Sequence, residues 1–376
     1  MNQRNHLVTR RDFLKGTLVG AGSLAAFGMF GCSAHTGATQ TASDSSSKEA
    51  WTFTDQTNNE VTVNIPVDRM VVMQHHSLDM LCQLDARDKV VGIEDKWKSD
   101  LGDYMTTVFP GIENLPTPGG LTDWNVEQIA ALKPDVVIAA SQADPDAMEQ
   151  VRNLGIPVVV VSLRGEGKQD EAQSPRLANA DAAYTEGCEW AIETLGKLTG
   201  KDTTASNIWQ FCLDSRSVVD NAIGTMNDAD RKRVFIACPD SKTYGNDKYV
   251  GCQLLRAGAI NVAANDIQGY KAYTTEKLAT WDPEYIIVQD RFPEVYTSIT
   301  TDAAYSELSA VKNGKVILAP YWTKPWGNPD TDSIGLGELW LSHTFYPDKV
   351  SAAEVQQHAE DFYQNFYGVT FDGTVA

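Results

Sequence analysis

Short apolar runs rich in β-branched residues punctuate this chain at 69–73, 90–93, 135–140, 158–161, 233–237, 286–288 and 316–318. Runs of that length without alternation mark strands covered on both faces, as in a parallel sheet. Residues 61–65 instead alternate apolar and polar, as a strand with one wet face does. Helical patterning fills the gaps at about 77–84, at 145–154 and after Gly251. Between roughly 178 and 229 the strand signal vanishes. There, 181–198 and 206–226 read as two helices, with Ile208, Cys212, Ser215 and Val219 near one stripe of the second. Helices at 333–343 and from 351 to about 366 finish the chain. Strand and helix alternating at this spacing predict βαβ units.

One such unit occurs twice. EQIAALKPDVVI at 127–138 and EKLATWDPEYII at 276–287 share E-x-[IL]-A-x-x-x-P-[DE]-x-[VI]-I without a gap. An aromatic stands three residues before each Glu, Trp124 in one copy and Tyr273 in the other. A short helix begins at a polar cap, Asn125 or Thr274, with Glu127 or Glu276 in its first turn, where the helix dipole favours negative charge. Pro134 and Pro283 stop the helix and a buried strand follows. The repetition predicts an α/β protein of two doubly wound lobes with mainly parallel sheets, joined by a long rigid helix.

The ends change this picture at one point. TRRDFLK at 9–15 has the form of a twin-arginine export signal, and the Gly/Ala-rich apolar run after it is too short for a spanning helix. Met29-Phe30-Gly31-Cys32 resembles a lipobox, with Met29 where leucine is usual, which makes Cys32 the expected lipid anchor. The expected division is a signal peptide at 1–31, a Ser/Thr/Ala linker at 32–50, an N-terminal lobe at 51–178, a helical connector at 179–229 and a C-terminal lobe at 230–376.

The full chain carries a net charge of −19, and the signal segment is itself basic, so the remainder is more acidic still. Such a surface argues against a nucleic-acid partner. Five further cysteines, Cys82, Cys188, Cys212, Cys238 and Cys252, lack metal-site spacing and read as small buried residues, with one or two disulfides open.

The order and spacing of several motifs resemble the substrate-binding lipoproteins of ABC importers, in the class with one rigid helix between lobes that serves iron–siderophores, haem and cobalamin. The carriers are DARDKVVGI at 85–93, the two repeats, LGIPVV at 154–159, LGKLTGK at 195–201, YSELSAVKNGKVI at 305–317, and Pro325-Trp326-Gly327 followed by Leu339-Trp340-Leu341. The resemblance implies no catalysis and a monomer that meets a permease and its ATPase. It also implies a docking carboxylate on each lobe, at Glu127 and Glu276.

Doubly wound lobes bind ligands beyond the carboxyl ends of their strands. That rule selects His75 and His76 after 69–73, Arg164 after 158–161, Tyr244 and Tyr249 after 233–237, Arg291 after 286–288, and Tyr321, Trp322 and Trp326 after 316–318. Trp97 and Trp124 are expected to face the aromatics from the other lobe. Adjacent histidines are expected to point apart, leaving one at most as a ligand. Arginines suit carboxylates, phosphates or hydroxamates, imidazole suits haem iron, and flat aromatic walls suit a macrocycle such as a corrinoid. The favoured cargo is an iron chelate of the siderophore type, with haem or cobalamin as alternatives.

A bare metal ion or oxyanion is the lesser reading, because the remaining histidines are scattered. An exported redox or hydrolytic enzyme is the remote one, since no GxSxG, GxGxxG, CxxCH or HExxH pattern occurs.

Overall fold

The computed structural model describes residues 48–165 and 174–375. The signal segment, Cys32 and nearly all of the expected linker lie outside the described residues. The chain enters as an antiparallel pair, β1 (Glu49–Thr54) and β2 (Glu60–Ile65). The alternating 61–65 run thus belongs to this hairpin and not to the parallel sheet, and its first strand begins inside the stretch expected to be linker.

Strands β3 (Met70–Met73), β4 (Val90–Ile93), β5 (Val136–Ala140) and β6 (Val158–Val161) form an all-parallel sheet in the order β4-β3-β5-β6. Further along come β7 (Lys232–Ala237), β8 (Lys242–Tyr244), β9 (Ala259–Asn261), β10 (Tyr270–Ala272), β11 (Tyr285–Val288) and β12 (Val316–Leu318). Of these, β9-β7-β11-β12 form a second all-parallel sheet, while β8 and β10 pair antiparallel. Ranked by position in the chain, both parallel sheets have the order second-first-third-fourth. The sequence repeat therefore reflects a repeat of topology.

Alternation along the strands explains the continuous apolar runs. Met70, Val72, Ile138, Val159 and Val161 join one large core, which also takes Val234, Ile236 and Ile287 from the second sheet. Val71, Met73, Val137, Ala139 and Val160 face a separate core on the other side of the first sheet. Phe235, Ala237, Ile286 and Val288 do the same in the second.

In each lobe the repeat helix leads into the third strand. Asn125 Oδ1 caps the Val126–Ala131 helix by accepting from Gln128 N at 3.0 Å, and Thr274 Oγ1 caps Thr275–Trp281 by accepting from Lys277 N at 3.2 Å. Glu127 and Glu276 are both exposed in these first turns.

Two helices, Ala180–Thr199 and Asp202–Ile223, run between the sheets in sequence and pack on each other. Gly196 permits the close approach, since a Cβ there would stand 2.5 Å from that of Ala205. Ile208, Cys212, Ser215 and Val219 are all buried, as their stripe predicts. Buried Arg216 grips Glu338 through Nε and Nη2 at 2.9 and 2.7 Å, and Tyr249 Oη donates to the same carboxylate at 3.1 Å. The predicted helix at 333–343 is a π turn, Ser333–Gly337, continued by the α-helix Glu338–Phe345.

The lobes are braced at a buried charge cluster. Lys324 Nζ meets Asp79, Asp330 and Asp332, and all four side chains are fully buried. Tyr104 and Tyr367 donate to Asp79 at 2.7 and 2.9 Å. Asp79 lies on the His75–Gln83 helix of the first lobe, so the end of the chain, which also packs on the second lobe through Phe371 and Asp372, touches the first through Tyr367. The five cysteines in the described residues are free and buried.

Candidate functional site

The central strands of both sheets end at one cavity of about 310 Å³. From the first lobe, Gln74, His75 and His76 follow β3, and Ala140 and Gln142 stand at the end of β5 and just beyond it. From the second, Tyr244 closes β8 just after β7, and Arg291 and Phe292 follow β11. Asp100, Leu121, Lys248, Tyr270, Trp326, Gly327 and Asn328 complete the lining. This is the crevice at the point of strand-order reversal, where doubly wound sheets hold ligands.

Local structure fixes the first wall. Gln74 keeps extended backbone before the His75–Gln83 helix, and its Nε2 donates to Val161 O at 2.9 Å, tying β3 to the end of β6. His75 and His76 open the helix with ring centroids 4.3 Å apart, and both line the cavity. The expectation that adjacent histidines diverge is therefore wrong here. At a helix start only one backbone step separates the side chains, and the Trp326 edge packs against both rings at 5.9 and 5.4 Å.

Arg291 forms the opposite wall. Its guanidinium lies 4.4 Å over the Trp326 ring, its Nε donates to Gln289 Oε1 at 3.1 Å, and its Nη1 reaches Asp100 O across the lobes at 3.4 Å. Tyr244 stacks on Tyr270 at 4.7 Å.

The cavity lining carries two basic side chains, Arg291 and Lys248, and one carboxylate, Asp100. Burial, then the charges of Arg291 and Lys324, push His75 down to about 3. Burial, then His75, hold His76 well below the usual imidazole range. Both rings are neutral at pH 7, and each carries one N–H donor. Burial and then Arg164 lower Lys248 to about 7. Glu94, fully buried behind His75, is raised to about 7 by burial and then by Asp100. Hydrogen-bond donors, one fixed cation and one adjustable cation can together hold an anion, with Asp100 on the lobe-facing side of Arg291 as the one acidic group in the lining.

Of the residues expected to bind ligand, the fold brings His75, His76, Tyr244, Arg291 and Trp326 together at this cavity. The others do not line it. Trp97 is buried in the core after edge strand β4, and Trp124 half-covers a separate depression beside Glu127. Arg164 is buried after edge strand β6, where Leu163 turns left-handed with φ 58°. Tyr249 belongs to the Arg216–Glu338 cluster. Trp322 packs on Phe371, and Tyr321 stacks on Tyr104 and donates to Asp372 at 2.7 Å.

The aromatic wall expected for a macrocycle is thus largely core. Edge strands end away from the switch point, so only residues after central strands, or on loops that return, reach the cavity. Applying the same carboxyl-end rule to the run at 135–140 leads to Gln142. Lys248 carried no signal beyond its place next to Tyr249.

A family profile described as "Periplasmic binding protein" matches residues 70–321. The molybdate-binding protein MolA of Haemophilus influenzae is 35% identical over 320 residues, covering 85% of this chain and 91% of that protein. Its molybdate-bound structure superposes with a TM-score of 0.82, covering 86% of this chain and 99% of that one. A cobalamin-binding protein of Halobacterium salinarum is 25% identical over 235 residues, 62% of this chain and 57% of that protein. A periplasmic solute-binding protein of Veillonella parvula, at 22% identity and a TM-score of 0.69 over 87% of this chain and 97% of that one, shares the fold. The chain belongs to the periplasmic binding protein family: it is an extracytoplasmic substrate-binding component of an ABC importer, which works with a permease and an ATPase, and it is not an enzyme.

Proposed function

We propose that the cavity captures a small tetrahedral oxyanion of the molybdate class and presents it to the permease. The donor set carries this reading: Arg291, Lys248, His75, His76 and Tyr244 converge on about 310 Å³, the small end of ligand cavities. The likeness to a molybdate-binding relative over most of the chain supports it. An iron–siderophore, haem or corrinoid, the cargo favoured by sequence, needs more room and free aromatic faces. Here Trp322 and Tyr321 already pack against protein.

The test is calorimetry on purified protein with molybdate, tungstate, sulfate, ferric citrate, haemin and cobalamin in turn. Saturable one-to-one binding of molybdate or tungstate is expected. A Soret, ferric charge-transfer or corrinoid band in protein taken from its native host, with no oxyanion binding, refutes the reading.

Export by the twin-arginine route and acylation of Cys32 belong to the same proposal. They rest on the Arg10-Arg11 motif and on Met29-Phe30-Gly31-Cys32. Glu127 and Glu276 are the docking carboxylates, a role supported by equivalent exposed positions on two lobes of like topology.

A further inference from the structure

Beside the cavity, three side chains converge with spare ligand atoms. His75 Nδ1 lies 3.7 Å from Glu94 Oε1 and 3.5 Å from Asp100 Oδ2, and the three atoms fall within 4.8 Å of one another. Each carboxylate has its other oxygen engaged: Glu94 Oε2 accepts from Lys96 N at 3.0 Å, and Asp100 Oδ1 faces Arg291 Nη1 at 4.0 Å. Glu94 is fully buried, yet its Oε1 has no hydrogen-bond partner, and neither has His75 Nδ1. Buried polar atoms left in this way are costly and call for an explanation.

We propose that His75 Nδ1, Glu94 Oε1 and Asp100 Oδ2 form a binding site for one divalent first-row transition-metal cation in the cavity wall. One imidazole and two carboxylates are a borderline-hard set that suits Zn²⁺, Co²⁺ or Mn²⁺. With metal–ligand bonds of about 2.1 Å, neighbouring ligands of a tetrahedral site stand about 3.4 Å apart, close to the 3.7 and 3.5 Å that separate His75 Nδ1 from the two carboxylates.

An imidazolium bridging the carboxylates would be the other use of this geometry. Burial, which holds His75 neutral, works against it. The same neutrality leaves Nδ1 able to ligate when the ring proton sits on Nε2. Three protein ligands leave at least one position open. Both His75 and Asp100 line the cavity, so the site borders the ligand chamber. The cation site does not depend on the oxyanion reading. If both hold, the ion adds positive charge beside the anion.

Chelator-treated protein titrated with Co²⁺ and Zn²⁺, followed by calorimetry and by the visible Co²⁺ spectrum, tests this. One equivalent should bind, and Glu94→Gln and Asp100→Asn should each weaken it by about tenfold or more, while Glu193→Gln, at an exposed position on the Ala180–Thr199 helix, leaves it unchanged. Thermal melting of the metal-free variants verifies folding, and either variant alone suffices. Absence of saturable binding, or binding indifferent to Glu94→Gln and Asp100→Asn, overturns the site. Molybdate titrated into the metal-free protein separates the two ideas: binding there without any cation uptake sinks only the metal site, and cation uptake without molybdate binding sinks only the oxyanion.

Discussion

In the proposed oxyanion site, Arg291 and Lys248 would hold an anion in different ways. Arg291 is fixed by Trp326 beneath it, Gln289 beside it and the Asp100 carbonyl across the lobes. A planar fork is needed for all three, and an ammonium cannot replace it. Arg291→Lys should therefore weaken oxyanion binding by about tenfold or more in calorimetry, with little change in melting temperature. Lys248 is adjustable, since burial and then Arg164 leave its ammonium at about 7. Its charged form prevails below that pH and is lost above it. Affinity for a dianion should fall as pH rises from 6 to 8, with proton uptake on binding at pH 8. Lys248→Met should flatten the profile, and an unchanged profile in that variant would remove Lys248 from the site.

At the scale of elements, the paired repeat helices matter most. Each is capped by its own Asn125 or Thr274 and presents one glutamate to solvent. Both glutamates complement a helix dipole, worth about 0.3–1 kcal/mol, so that role alone predicts only a small loss of stability on substitution. Docking predicts more. Glu127→Arg combined with Glu276→Arg should leave ligand affinity intact and abolish uptake in cells, whereas normal uptake would leave the carboxylates as helix caps only. Both helices, their caps and the Pro134 and Pro283 stops were legible in the sequence, because each is a local pattern. The separate β1–β2 hairpin and the π turn Ser333–Gly337 were not. Pairing partners and a widened helical turn depend on what packs alongside.

Across the whole molecule, Lys324 and its three aspartates join the lobes. Burial and then the Lys324 charge act in opposite directions on Asp332, leaving it raised to about 7. A carboxyl raised in the folded state stabilises the fold fully below its unfolded value of about 4, and that contribution is lost as pH rises through about 7. His75, depressed to about 3, acts in the opposite sense: its contribution is complete above about 6.5 and lost as pH falls through 3. Lys324→Met should cost about 3–5 kcal/mol in urea unfolding at pH 8, because it strands buried carboxylates. At pH 5, where those carboxyls can hold protons, the loss should be smaller. An equal loss at both pH values would contradict this account of the cluster.

The amino-acid sequence by itself determined the α/β class, the doubled topology and the buried strands. These rest on backbone hydrogen bonding and on apolar periodicity, which act over a few residues. It also named His75, His76, Tyr244, Arg291 and Trp326 for the cavity that the fold brings them to. Tertiary structure alone decided which strands are central. That choice sent Arg164, Trp97 and Trp322 into the core and put Gln142 and Lys248 at the cavity. It also decided that Lys324 meets Asp79, 245 residues earlier. Asp330 and Asp332 stand close to Lys324 in sequence, but a buried charge needs all its partners in place, and only the closing of one lobe on the other brings the third carboxylate, that of Asp79.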